Sequence, residues 1–404
     1  MGGKGSKTTK LIPLNKEECD AINNLMCYKE SILIDELLNR WKQYLTDNMV
    51  HHIKHIFTSN KQSKTQIVQI YRYLAMNEVY QENYRNLILQ ILSKSNFQQY
   101  IADLIESILL CINSTNEYIA WTQIHTKTNA LPLLSIYFSN IALAGDIENW
   151  LQTEQYFGLM HRILITTLYN VPMNNSLLPN VNINKKFKQS FHTILDFGWI
   201  MFINKNLSHD CQRNWRLLFS SSYHGESFQS LTTAIIDQGS TIIIVKDTSG
   251  HVFGGFASQP WLLKPKFYGD SSCFLFSLYP NLNYCAASGN NEHFMYMNSG
   301  QHTLPNGIGM GGQMSYWGLW LDSEYGKGQC SVSCSTFSNY LMPAKSKDFM
   351  IDSLEVWCVK EKSRNESDEE ERILPNNRDN WDMKLLEMAG RTKYSDGYRE
   401  DENK

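Results

Sequence analysis

Gly307, Gly309 and Gly312 fit the G-x-G-x-x-G spacing with which a backbone approaches a pyrophosphate. That chemistry needs a strand before the glycines, a helix after them and an acidic residue about 20 positions on. Here a Pro305-Asn306 turn signal precedes them, the aromatic run Tyr316 to Leu321 follows, and the acids come early, at Asp322 and Glu324. The stretch reads as a packed corner of β-structure. Ser227 with His224 raises a nucleophile-and-base pair, but no G-x-S-x-G elbow surrounds the serine and no acid is identified to orient the imidazole. Ser227 reads instead as the N-cap of a helix whose apolar stripe is Phe228, Leu231, Ile235 and Ile236. His51 and His55 share a helical face at i, i+4, as in H-E-x-x-H, yet His52 replaces the glutamate and no third ligand is evident. Cys330 and Cys334 are followed by no Cys/His partner at zinc spacing and read as small strand residues. The expectation is a non-enzymatic protein with no metal and no cofactor.

The first residues offer a different chemistry. Met1-Gly2-Gly3-Lys4-Gly5-Ser6 fits the M-G-x-x-x-[ST] pattern for myristoylation of Gly2. One acyl chain holds a membrane only marginally, with a constant of about 10⁴ M⁻¹. Lys4, Lys7 and Lys10 supply the second signal, at about 1 kcal/mol each near an anionic leaflet.

Over 404 residues, 42% hydrophobic and 19% charged, the chain can bury sizeable cores. Its formal net charge of −3 gives no support to a nucleic-acid-binding role. No apolar run reaches the length of a membrane span, since Tyr156 to Val171 carries His161 and Arg162. Nine scattered cysteines without a signal peptide read as reduced cytosolic thiols.

The elements that position these residues fall into two regions. From residue 13 to 171 apolar residues recur at helical spacing, as in Leu37, Leu38, Trp41 and Leu45, and further helices are expected over Tyr84 to Leu92, Phe97 to Ile112, Leu133 to Ala144 and Trp150 to Leu168. Such helices suit an EF-hand-like or a HEAT-like array. No run of calcium-ligand carboxylates is present. The proline- and asparagine-rich stretch at 172–189 reads as a linker, and Phe191 to Ile203 as a helix. From Ser240 the period becomes that of strands: Thr241 to Lys246 and His251 to Phe256 flank a Thr248-Ser249-Gly250 turn, and further strands follow to Val359. The pattern predicts an antiparallel sandwich with attached helices.

Residues 215–359 resemble the TLDc domain family. The shared motifs are W-R-L-L-F-S-S with H-G-E-S-F, V-F-G-G-F-A-S, G-D-S-S-C-F-L-F-S, P-N-G-I-G-M-G-G, G-L-W-L-D with Y-G-K-G, and L-E-V-W-C-V. They place His224, Gly225, Ser227, Gly254, Gly255, Gly307, Gly309, Gly311 and Gly312 in the domain's structural motifs. The Gly2 signal, the helical region and the tail motifs L-E-M-A-G and Y-S-D-G-Y-R-E extend the resemblance to a lipid-anchored member of that family. It implies an α+β fold, with two antiparallel sheets and helices at 190–360. It further implies a role at the vacuolar proton-pumping ATPase, on the cytoplasmic face of the lysosomal membrane with a cytoplasmic pool, and in TOR signalling. The family is also linked to oxidation resistance, which leaves direct redox chemistry as the competing reading.

The tail completes the picture. A highly charged stretch at 361–378 reads as a solvated linker. Trp381, Leu385 and Met388 fall at i, i+4 and i+7, with Leu386 beside them, so Asp379 to Ala389 is expected to form an amphipathic helix that needs a groove, in this chain's own domain or, as the long charged tether favours, in a partner.

Overall fold

The computed structural model describes residues 12–57, 59–125, 130–144, 146–172, 176–184 and 191–362. The expected lipidation site at Gly2, the lysines Lys4, Lys7 and Lys10, and the tail residues Trp381, Leu385, Leu386 and Met388 lie outside them. The chain forms two compact units, Met1–Ile119 with Asn129–Leu177, and Ala120–Thr128 with Leu178–Lys404.

The first unit is helical. It begins with α1 (Lys16–Leu25), β1 (Ser31–Leu33) and α2 (Ile34–Trp41), then repeats the arrangement in α3 (Asp47–Lys54), β2 (Lys61–Ser63) and α4 (Lys64–Ala75). Side chains at the helix starts explain the boundaries. Asn15 and Ser63 each form a capping box, with Glu18 and Gln66, and Thr46 accepts from the Met49 N–H. The two strands pair antiparallel, Ile32 opposite Gln62. This coupling of two helix–loop–helix units by their loops is the EF-hand-like arrangement rather than a linear repeat array.

The helices continue as α5 (Gln81–Leu92), α6 (Phe97–Ile112), α7 (Asn116–Thr122), α8 (Leu131–Ala144), α9 (Ile147–Thr153) and α10 (Gln155–Leu168). The single helix expected over Trp150 to Leu168 is broken at Glu154, whose non-helical ψ of 86° ends α9 while its carboxylate caps Tyr156 N–H to start α10. α6 packs against α3, α8 and α10 through Tyr100, Ile101, Leu104, Ile105 and Ile108, all fully buried at helical spacing.

A polar line runs through this core. His161 on α10 is fully buried, its Nδ1 at 3.0 Å from the Phe157 carbonyl and its Nε2 at 2.7 Å from the Tyr100 hydroxyl. The carbonyl must accept, so Nδ1 carries the proton and Nε2 accepts from Tyr100. Burial pulls the imidazole down from 6.5 to about 4. The unfolded chain therefore takes up the proton first as pH falls through 6.5, and the first unit loses about 1.4 kcal/mol per pH unit below that point until about 4. Urea unfolding at pH 7.0 and 5.5, followed by amide exchange within α6 and α10, measures the slope. An unchanged midpoint contradicts a buried neutral histidine.

The second unit carries β3 (Asn180–Asn182), α11 (Phe197–Lys205), β4 (Asn214–Ser220), α12 (Ser221–His224), α13 (Phe228–Ile235), β5 (Gly239–Asp247), β6 (Val252–Ala257), β7 (Lys264–Tyr268), β8 (Phe274–Tyr279), β9 (Asn283–Cys285), β10 (Met295–Asn298), β11 (Gly307–Gln313), β12 (Tyr316–Asp322), β13 (Lys327–Gln329) and β14 (Asp348–Glu361). Hydrogen bonding runs without a break in the order β7-β10-β11-β12-β13-β14-β5-β6-β8-β9, with β4 on β14 and β3 parallel to β4. The sequence reading expects two separate sheets. The 14-residue β14 explains the single path, because its first residues pair with β13 while Glu355–Cys358 pair with β4 and its other edge pairs with β5. The sheet also curls on itself. A Cβ added at Gly255 on β6 would lie 2.6 Å from Met310 Sδ on β11, although five strand pairings separate the two. Between these faces lies the main core, with Phe219, Leu231, Ile243, Phe253, Trp261, Met310 and Leu354 among its buried residues.

Candidate functional site

The glycine stretch is itself a strand. Within β11, Ile308 and Met310 turn into the main core, while Gly307 and Gly309 lie beneath Trp317 and Trp320 of the neighbouring β12. Those indoles stack at 4.4 Å with planes 20° apart and, with Tyr296, form a second buried aromatic cluster. A Cβ at Gly309 would come within 2.6 Å of two Trp317 ring carbons. The glycines thus give room for tryptophan faces. Gly312 has another task, since at φ +84° it turns the chain where a Cβ would sit 1.9 Å from the Tyr316 carbonyl.

The other motif residues are spread along the unit. Gly254 lies against the Ile243 carbonyl of β5, and Gly255 receives the Met310 thioether. Gly225 closes α12 at φ +81°. Ser227 is the expected N-cap, accepting from Ser230 N–H at 3.3 Å, and its helix buries Phe228, Leu231, Ile235 and Ile236. His224 Nδ1 lies 3.0 Å from Ser220 N, and its ring stacks on Phe219. These contacts give His224 and Ser227 structural work at the β4–α13 connection.

Sequence reasoning missed the centre of the unit. Glu355 on β14 is fully buried and accepts from Thr193 Oγ1 at 2.7 Å, from Ile194 N–H at 2.7 Å and from Trp357 Nε1 at 3.0 Å. Burial pushes its carboxyl up to about 7, against the opposing effect of these donors. The segment that donates is extended, where a helix over Phe191 to Ile203 is expected. α11 starts only at Phe197, with Asp196 capping Gly198 N–H, because Thr193 and Ile194 are drawn to the carboxylate. Thr193 N–H in turn donates to Ile124 at 2.8 Å. Trp121, from the same short segment, is fully buried beside Trp215 and Trp357 and donates to the Pro179 carbonyl.

A buried carboxylate also fastens elements of the first unit. Asp103 on α6 lies 2.9 Å from His52 Nε2, and His52 Nδ1 lies 2.8 Å from Ser95 Oγ. The order resembles a hydrolase triad with the ring nitrogens exchanged, because there the serine meets Nε2 and the acid Nδ1. Asp103 is further tied to Asn48 and Gln99, so the group fastens α3 to α6. His51 and His55 meet edge to face at 4.9 Å, with the His51 ring 6.5 Å from that of His52. Among the described residues, no group of three or more His, Cys, Asp or Glu is placed to hold a metal ion. Among them also, no helix is long and apolar enough to cross a membrane.

An exposed surface accompanies these cores. Val332 is 78% and Leu341 67% exposed, on neighbouring loops that Tyr340 ties together by donating to the Gly318 and Ser331 carbonyls. Tyr316, at 59%, adds an exposed ring at the start of β12.

Comparison with known proteins agrees with this architecture. The TLDc domain family model matches residues 188–360. The MTOR-associated protein MEAK7 of Gallus gallus is 37% identical over 331 residues, covering 75% of this chain and 70% of that protein. Its counterpart in Xenopus laevis is 42% identical over 270 residues, 63% of this chain and 56% of that protein. Nuclear receptor coactivator 7 of Homo sapiens is 35% identical over 146 residues, 36% of this chain but 14% of its own length. The first of these alignments is longer than either compact unit, so the likeness includes the helical unit as well as the TLDc domain. The chain belongs to the MTOR-associated protein MEAK7 family of TLDc-domain proteins.

Proposed function

We propose that this chain is a non-enzymatic, lipid-anchored adaptor acting in TOR signalling. Gly2 with Lys4, Lys7 and Lys10 holds it on the cytosolic face of the lysosomal membrane, and the TLDc domain with Trp381, Leu385, Leu386 and Met388 binds the vacuolar proton-pumping ATPase. The observation that carries this reading is the 37% identity to an MTOR-associated protein across 75% of the chain. Side-chain chemistry favours binding over catalysis, because His224, Ser227, His52 and Asp103 are each engaged in fastening elements together. The apolar surface around Val332 and Leu341 suits a protein partner.

The competing reading, direct protection against oxidants, asks for an exposed thiol of lowered pKa. In the second unit burial acts the other way, pushing Cys285 up to about 11 and raising Cys273, Cys330, Cys334 and Cys358.

Immunoprecipitation of the tagged full chain from lysosomal membranes tests the proposal. Proton-pump subunits are expected in the wild-type eluate and depleted about tenfold by Trp381→Ala with Leu385→Ala, as for loss of two anchor side chains. Gly2→Ala is expected to move the chain off the membrane fraction. Equal recovery of the pump by the double variant would sink the tail's role.

A further inference from the structure

The paired loops of the first unit have the architecture that elsewhere binds calcium, and their residues do not suit that ion. A calcium loop of this type supplies ligands at positions 1, 3, 5, 7 and 9, ends on a bidentate glutamate at position 12 and turns on a glycine at position 6. Glu36, in the first turn of α2, takes the place of that glutamate. Counting back puts Leu25, Cys27, Lys29, Ser31 and Leu33 at the other ligand positions and Glu30 where glycine belongs. At the six ligand positions only Glu36 is a carboxylate, Glu30 standing in the glycine's place, and Lys29 brings a positive charge 3.9 Å from Glu36. In the second loop the corresponding place falls to Gln66, whose side chain accepts from Ser63 N–H at 2.9 Å.

The first loop does hold a cation, and the chain provides it. Arg40, one turn beyond Glu36, reaches back into the loop. Its Nη1 donates to the Leu25 carbonyl at 2.8 Å, and its Nη2 to Cys27 Sγ at 3.0 Å and to Glu36 Oε1 at 2.6 Å. These three acceptors sit at the first, third and twelfth positions, the start and the end of the loop. The guanidinium therefore joins the end of α1 to the start of α2 as a bound ion would, through directional charge-assisted hydrogen bonds. Cys27 and Tyr28 adopt left-handed φ values of 50° and 57°, the tight course that carries the loop around the guanidinium. Reciprocal bonds from Ile34 N to Asn60 O and from Lys64 N to Glu30 O tie the second loop to the first.

We propose that Arg40 is the resident cation of this EF-hand-like pair, so that the helical unit keeps one loop geometry at every calcium concentration. The unit then serves as a constitutive platform, and calcium signals bypass it.

Two measurements on the full chain test the idea. Titration of the wild type with calcium from chelator to millimolar, read by terbium luminescence and by melting, is expected to give no saturable binding and no change in melting temperature. Arg40→Met is expected to speed amide exchange in residues 25–36 about tenfold, as suits partly exposed charge-assisted bonds, with β5 and β6 unaffected. Arg40→Lys, which keeps the charge and loses the fork, is expected to fall between them. Saturable calcium binding by the wild type that disappears in Glu36→Gln would overturn the proposal, as would an Arg40→Met chain with wild-type exchange across the loop.

Discussion

Replacing Gly309 by valine is expected to lower the melting temperature of the second unit by roughly 6–12 °C, for a cost of about 3 kcal/mol. The new Cβ would lie 2.6 Å from Trp317 ring carbons and 3.0 Å from Trp320, and both indoles are buried in the second aromatic cluster with Tyr296, against Phe267 and Met314. Neither ring has room to slide, so β11 must separate from β12 or the stack must open. Gly250→Ala is the control. Unlike Gly309 it lies at positive φ, +85°, and it has nothing within 4 Å of the new methyl, so it should cost only about 1–2 kcal/mol, all of it backbone strain. Calorimetry of both variants distinguishes crowding from conformational strain. Equal losses would mean that the tryptophan contact contributes nothing, and lost partner binding at wild-type stability would reassign the glycines to a recognition surface.

Glu355→Ala should be as damaging, by roughly 3–6 kcal/mol, because it leaves the Thr193 hydroxyl, the Ile194 amide and the Trp357 indole without their acceptor inside the protein. Glu355→Gln separates shape from charge. The wild-type carboxyl is raised from 4.5 to about 7, so its contribution is fully present below 4.5 and is lost as pH rises through about 7, some 3 kcal/mol in all. The glutamine variant should lack that slope while keeping most of the fold. His161 has the opposite sign, its stabilisation being lost on acidification. Mild acid should therefore weaken the helical unit and strengthen the TLDc unit, a divergence visible by hydrogen exchange at pH 5.5 and 7.5. Parallel behaviour of the two units would contradict both assignments.

Local pattern carried much of this fold. The bounds of α6 follow from its apolar period and its Asn96 cap, and the β5–β6 hairpin follows from the Thr248-Ser249-Gly250 turn between two apolar runs. The Ser227 cap was equally legible, since a cap and its stripe lie within one helix. β11 is not legible as a strand because glycine has no strand preference, and its reason to be there is the pair of indoles on the next strand. Whether the helices formed an array or paired loops depended on the bridge from Ser31–Leu33 to Lys61–Ser63, two three-residue strands without periodicity. The buried carboxylates were hidden by distance, His52 standing 51 residues from Asp103 and Thr193 standing 162 from Glu355. A buried pair leaves no local signal when its members lie in different elements.

The short excursion around Trp121 makes both units discontinuous in the chain. Ala120–Thr128 packs with the TLDc unit, yet the helices of the first unit continue after it, from Asn129 to Leu177. Physical independence and covalent order are thereby uncoupled. A protease that nicks the connection near residue 185 leaves Trp121 and Ile124 on the amino-terminal fragment, still seated against Trp215, Trp357 and Thr193 of the other. A single cut should thus give two fragments that remain together on gel filtration. Fragments of the TLDc unit that begin after residue 177 lack the indole that fills this layer.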